Sequence, residues 1–253
     1  MYLPRFYCSS LFESTGQLSA SQAHYLADVL RLNKGQKVEL FDGAGALAVA
    51  EVICTARQKV DLKVLELKTV RKPFQQQIII APSIAKGERF DWLIAKCTEL
   101  GVDRICPLLF ERTVKQPKNP KITQRWQNIA IAASQQCRRL FLPQIDAPLP
   151  LPQVIKTLKK DHPDSRFLFG SLADNAPSLI NQPFGRKDVV VFVGPEGGLT
   201  QQEENFLLSE GALPVRLTDT VLRIETAALA FASILSAQRS SAGLSAVDLA
   251  KAD

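Results

Sequence analysis

The residues of this 253-residue chain best suited to chemistry are Gly194-Pro195-Glu196-Gly197-Gly198, a turn that presents almost no side chain. It follows the apolar run Val189-Val190-Val191-Phe192-Val193 and precedes Thr200 and Glu203, spaced as the capping box that opens a helix. Backbone amides there lie near the positive end of a helix, and glycine supplies positive φ with no Cβ in the way. A flat or charged ligand can therefore approach main-chain donors closely. A ligand-free strand-to-helix connection would have the same sequence. A second segment, 217–227 (LTDTVLRIETA), also ends a short apolar run and enters an alanine-rich helix, and Phe169-Gly170-Ser171 ends a third.

Other chemistries are absent or weakly signalled. No GxxxxGK[ST] loop occurs. Asp42-Gly43-Ala44-Gly45 continues into a strand rather than a helix, which reads as a hairpin turn and not a nucleotide loop. The five cysteines are odd in number, scattered and never in a CxxC pair, and there are only two histidines. A disulfide framework or zinc site is not expected, a histidine-rich metal site is excluded, and reduced thiols in a cytosolic protein fit best. The apolar runs are strand-sized rather than membrane-spanning, and no basic-then-apolar leader opens the chain, so a soluble cytoplasmic protein is expected. Lys and Arg total 31 against 25 Asp and Glu, a net charge of +6 that suits a polyanionic partner.

Two kinds of pattern must position these residues. Up to about residue 70 the apolar residues mostly alternate, giving expected strands over 37–41, 46–54 and 60–70, with one helix over 21–32 whose apolar side is Tyr25, Leu26, Val29, Leu30 and Leu32. A small β-barrel with a helix packed on it is the simplest assembly. Charge, proline and amides at 71–77 mark a domain boundary, dividing the chain into 1–72 and 73–253. Beyond it, strands expected over 77–81, 104–109, 166–169, 189–193 and 214–217 alternate with helices over 90–100, 122–140, 151–160, 201–209 and 225–238, leaving a tail from Ser240 that frays. That grammar makes an α/β domain with a mainly parallel sheet covered on both faces, whose ligands sit at the carboxyl ends of strands.

GPEGG followed by LxxxxLRxETA resembles the end of the bacterial 16S ribosomal RNA uridine N3-methyltransferases, members of the SPOUT class. Lys86-Gly87-Glu88-Arg89 leading to 96–102 (KCTELGV), Arg112, and the stretch from Arg125-Trp126 to Ala132-Ala133 resemble the same family in order. Arg5-Phe6-Tyr7, His24-Tyr25-Leu26, Val29-Leu30-Arg31 and Phe41-Asp42-Gly43 are similar to its PUA-like RNA-binding domain. The resemblance implies a SPOUT-type sheet tied in a C-terminal trefoil knot, a homodimer, no metal, and S-adenosylmethionine as cofactor. By that likeness Phe169, Gly170, Val193, Gly194, Pro195, Glu196 and Gly197 line one side of the cofactor, and Leu217, Leu222 and Ile224 enclose its adenine. Uridine N3 must lose a proton, leaving negative charge on the uracil oxygens that an arginine would stabilise, for which Arg139 and Arg223 are the candidates. Glu225 is a candidate base, or simply a carboxylate favoured at a helix start.

RNA contact is expected along a positive track of Arg5, Arg31, Arg57, Lys59, Lys63, Lys86, Arg89, Arg112, Arg138 and Arg139. Where the family commonly reads EQxGRN before a proline, this chain has 135–140 as QQCRRL, so Gln135, Arg138 and Leu140 depart from the pattern. Two other activities fit the same residues: a SPOUT enzyme acting on transfer RNA or a ribose 2′-hydroxyl, and an RNA-binding protein without catalysis.

Overall fold

The computed structural model describes residues 3–11, 15–56, 59–114, 120–183, 185 and 187–249. The chain divides into two compact units, one reaching Pro73 and also taking Ile131–Leu142, the other formed by Phe74–Ala130 and the chain from Pro143 on. The expected boundary at 72/73 thus falls one residue from the first break. The return of 131–142 to the N-terminal unit has no signature in local sequence.

In the first unit, alternating residues build strands β1 (Arg5–Tyr7), β2 (Thr15–Gln17), β3 (Lys37–Phe41), β4 (Ala46–Ala56) and β5 (Lys59–Thr69). They form one sheet in the order β1-β3-β4-β5-β2, antiparallel except where β1 runs beside β3. Register shifts at Val49/Ala50 and Val52/Cys54 break the long β4–β5 ladder. Such irregularities increase local twist and let a sheet wrap a core, here Phe6, Leu26, Val38, Leu40, Ala50, Val52 and Leu62. The turn after β3 is closed by Asp42, whose Oδ1 accepts the amides of Ala44 and Ala46 at 2.7 and 2.9 Å.

The expected helix over 21–32 is shorter and changes pitch. It opens at α1 (Ala20–His24), with Ser19 Oγ accepting the Gln22 amide, and widens into a π turn over Tyr25–Val29. Leu26 stays buried while Tyr25, Val29 and Leu30 are exposed, so only part of the expected apolar side faces the core. The segment 131–142 carries the end of helix α3 (Ile122–Cys137), which stops at Arg138 with φ of 62°. Glycine is the usual residue in that left-handed position, and it is the residue of the family pattern that Arg138 replaces. Here the guanidinium donates from Nη2 to Glu39 Oε2 at 2.5 Å, and Arg5 donates from Nε to the same oxygen at 2.9 Å. Arg5 and Arg138, expected on RNA, are therefore engaged inside this unit. Gln135 Nε2 likewise donates to the Arg5 carbonyl at 3.0 Å and to Gln22 Oε1 at 2.9 Å. Neutral amide at 135 gives a donor where the family's acid would give none.

The second unit is a parallel sheet. Its strands are β6 (Ile78–Pro82), β7 (Arg104–Ile105), β8 (Leu108–Leu109), β9 (Gln144–Ile145), β10 (Leu149–Pro150), β11 (Arg166–Gly170), β12 (Val189–Val193) and β13 (Leu213–Val215). Six make one sheet in the order β13-β11-β12-β6-β7-β9, each neighbouring pair parallel, while β8 and β10 pair separately. The expected strand over 104–109 is split because Pro107 cannot donate to a ladder.

Helices cover both faces, as continuous apolar strands require. On one face Ile78, Ile80, Leu168 and Val191 pack with Phe90 and Leu93 of α2 (Glu88–Glu99) and Phe231 and Ala232 of α6 (Ile224–Leu249). On the other, Ile79, Phe167, Phe169 and Phe192 pack with Val154, Ile155 and Leu158 of α4 (Leu151–Asp161) and Leu207 of α5 (Gln201–Ser209). The last helix runs on to Leu249 instead of fraying from Ser240. Among the described residues no helix is long and apolar enough to cross a membrane.

Candidate active site

Three strand ends meet at the carboxyl edge of this sheet. After β12 the chain turns through Gly194 to Gly198, where Gly198 takes φ of +73° and donates its amide to the Pro195 carbonyl at 2.9 Å. The expected capping box is present: Thr200 accepts the Glu203 amide, and Glu203 Oε2 accepts the Thr200 amide at 2.9 Å. Glu203 Oε1 also accepts the Glu111 amide at 2.7 Å, so the start of α5 is tied to the loop behind β8. The bend after β13 is held by Thr218, whose hydroxyl donates to the Thr220 carbonyl at 3.0 Å.

Between these bends lies a cleft open to solvent. The strand ends supply Gly170 and Ser171, the glycine turn supplies Val193 to Glu196, Gly198 and Leu199, and the last bend supplies Leu217, Thr218 and Thr220 to Leu222. Val215, Ala227 and Phe231 complete the wall. Two glycines shape it: a Cβ on Gly194 would lie 3.1 Å from Leu199 Cδ2, and one on Gly170 would lie 3.4 Å from Phe231.

Of the ten residues expected around a cofactor, Gly170, Val193, Gly194, Pro195, Glu196, Leu217 and Leu222 line the cleft. The other three do not, each for a local reason. Phe169 points to the opposite sheet face from Gly170 because side chains alternate along a strand, and it is buried with Phe167 and Phe192. Ile224 is buried in the core beneath α6. Gly197 turns its carbonyl to Arg112, which donates from Nη1 at 2.8 Å. Sequence reasoning missed Val215, Leu199, Ala227 and Phe231. The i, i+4 spacing of Ala227 and Phe231 on the expected final helix was the available signal for the last two.

Arg223 is exposed beside Leu222 and has no side-chain partner among the described residues. Glu225 is buried, and it is not on the cleft wall. Its Oε1 lies 3.8 Å from Arg89 Nη1, and its Oε2 is buried without a hydrogen-bond partner. Arg89 also reaches Glu196 Oε1 at 3.3 Å, so it is engaged by carboxylates although expected on phosphate. Lys86 and Arg112 are exposed in the same unit. Arg139 lies half-buried in the first unit, its amide donating to the Ser134 carbonyl at 3.0 Å. Arg31 and Lys63 are exposed there, Lys59 opens β5, and Arg57 lies outside the described residues.

A parallel sheet whose carboxyl edge holds an apolar cleft with glycine bends and bare main chain defines an α/β domain built for a nucleotide-like cofactor. A family model described as RNA methyltransferase domain matches residues 72–236, and one described as RNA methyltransferase PUA domain matches 18–65. The chain is 34% identical over 220 residues to ribosomal RNA small subunit methyltransferase E of Synechocystis sp., covering 86% of this chain and 71% of that one. The enzyme of the same name from Buchnera aphidicola (Schizaphis graminum) is 30% identical, covering 90% and 93%. Among solved structures, a Legionella pneumophila protein with the cofactor SAM bound superposes with a TM-score of 0.86 at 29% identity, covering 94% and 98%. Ribosomal RNA small subunit methyltransferase E of Neisseria gonorrhoeae, bound to S-adenosylmethionine, gives 0.82 at 29%, covering 93% and 98%. The chain belongs to this family of RNA methyltransferases, and its fold is the expected SPOUT-type α/β sheet with a PUA-like N-terminal unit.

Proposed function

We propose that this protein transfers a methyl group from S-adenosylmethionine to N3 of one uridine in small-subunit (16S) ribosomal RNA. The observation that carries the reading is the meeting of three strand-end bends on a single cleft. The residues fit the cofactor: Leu217, Leu222, Val215 and Phe231 offer the apolar walls that an uncharged purine needs, and Gly170 and Gly194 leave main chain uncovered. When bound, the cofactor supplies a methyl already activated by a positive sulfur, which leaves as a neutral thioether.

The chain's own task is then to orient the base and hold charge. Uridine N3 first gives up its proton to solvent water, the uracil oxygens carry the resulting negative charge, and that charge is discharged as N3 takes the methyl group and the methyl–sulfur bond breaks. Arg223, exposed next to the cleft residue Leu222, is assigned to those oxygens. Glu225 is not placed to act as the base, since its carboxylate faces Arg89 and is not on the cleft wall. Lys86, Arg112, Arg31 and Lys63 are assigned to RNA phosphates. Like its relatives' substrate, the target is small-subunit rRNA, and the enzyme acts as a cytoplasmic homodimer.

Tritiated methyl transfer to purified 30S subunits lacking the modification, compared with naked 16S RNA, tests this reading. N3-methyluridine among the digested nucleosides is expected. A labelled ribose 2′-hydroxyl, or labelling of transfer RNA instead, would overturn it.

A further inference from the structure

Arg89 occupies the first turn of α2, directly after Gly87, whose φ of 68° leaves the helix without a side-chain cap. Its Nη1 lies between two carboxylates on different elements. Glu196 Oε1, from the glycine turn, is 3.3 Å away, and Glu225 Oε1, from the first turn of α6, is 3.8 Å away. Glu196 is 40% exposed, whereas the Glu225 side chain is only 9% exposed. A carboxylate that deeply buried is costly unless a cation is close, and Arg89 is the cation beside it.

The three groups together carry one net negative charge. A phosphate arriving at Arg89 would meet two carboxylates already in place, so this arginine is poorly suited to the RNA backbone. Two adjacent residues of the glycine turn are each tied from outside by a guanidinium: Glu196 by Arg89, and the Gly197 carbonyl by Arg112.

We propose that Arg89 is a positioning residue for methyl transfer, coupling the turn that lines the cleft to the helix that floors it, and not a phosphate contact. The proposal rests on reading the cleft as the S-adenosylmethionine site. Both carboxylates face the same Nη1, which stands at the end of a longer, planar side chain than a lysine ammonium, so lysine does not place its charge at that point.

Arg89→Lys and Arg89→Met separate the two roles. A phosphate contact would be rescued by lysine, and its loss in the methionine variant would lower the log–log salt slope of RNA binding by about one. A positioning role predicts that both variants weaken S-adenosylmethionine binding, titrated calorimetrically without RNA, by roughly tenfold. It also predicts kcat down by on the order of 10–100-fold, with the KM for a small-subunit rRNA transcript and the salt slope unchanged. Glu196→Gln should weaken the cofactor too, and adding Arg89→Lys to it should cost less than the two effects summed, because both break one contact. Wild-type cofactor affinity in Arg89→Lys, additive effects in the double variant, or a lowered salt slope in Arg89→Met would overturn the proposal. A flat titration of the wild-type protein would instead sink the cofactor reading beneath it.

Discussion

Replacing Gly194 by alanine tests whether the glycine turn is shaped for a ligand. The new Cβ would lie 3.1 Å from Leu199 Cδ2 and 3.2 Å from its Cγ. Carbon atoms pack best near 3.5–4.0 Å, so the leucine must retreat by about 0.5 Å. Leu199 is itself a cleft residue, and the retreat changes the wall on which the cofactor would lie. Because the obstacle is the end of a flexible, half-buried side chain and Gly194 has no positive φ, the fold should lose less than about 1 kcal/mol, or about 2–4 °C in Tm. A wall displaced by that amount forfeits a quarter or more of each contact across it, which summed over a ligand face amounts to roughly tenfold in Kd. Calorimetry with S-adenosylmethionine should show Gly194→Ala weakened, with the protein still melting cooperatively. Equal affinities for Gly194→Ala and wild type would refute the argument.

Other expectations follow from the same packing. Arg239→Ala removes a guanidinium that donates to Asp103 Oδ2 at 2.6 Å and to the Gly101 carbonyl at 2.8 Å, leaving an Asp103 side chain only 2% exposed beside its lost partner. About 3–5 kcal/mol of stability should go with it, and a melting curve little changed would contradict that. Burial pushes the Cys97 thiol up to about 12. Above the ordinary thiol value of about 8.5 the unfolded chain loses this proton while the folded chain keeps it, so stability should fall by about 1.4 kcal/mol per pH unit on this account. Denaturant titrations between pH 8 and 10 should show a shallower decline for Cys97→Ala than for wild type. With native protein at pH 8, exposed Cys54 should be alkylated well before buried Cys97 and Cys106, as mass spectrometry of the labelled peptides would report. Arg138→Gly exchanges an arginine at φ 62° for the residue that prefers this conformation while losing the bond to Glu39. The two effects, about 1 kcal/mol each, should nearly cancel in thermal melts.

The relationship between the units is where local pattern carries least information. Residues 131–137 continue the helical period begun at Ile122, and nothing in their apolar spacing says that they belong with residues 1–73. That membership depends on polar contacts of long sequence separation, such as Gln135 to Arg5 and Arg138 to Glu39. Short strands β1, β2, β9 and β10 were likewise invisible, since two or three residues cannot show a period.

What sequence alone determined is the part governed by period, by glycine and by capping: the buried strand Val189–Val193, the bend after it, the Thr200–Glu203 box, and the alternation of strand and helix that makes a parallel sheet. These depend on neighbours within a few positions. Tertiary structure alone decided which side chains face the cleft. Gly170 and Leu222 line it while Phe169 and Ile224 do not, because successive strand residues face opposite sides of the sheet and the two residues from Leu222 carry the chain into α6, whose first residue is turned to the core. It also set Arg5 and Arg138 beside Glu39, and Arg89 beside Glu196 and Glu225, since an arginine's protein partner is decided by which carboxylate the fold brings within reach.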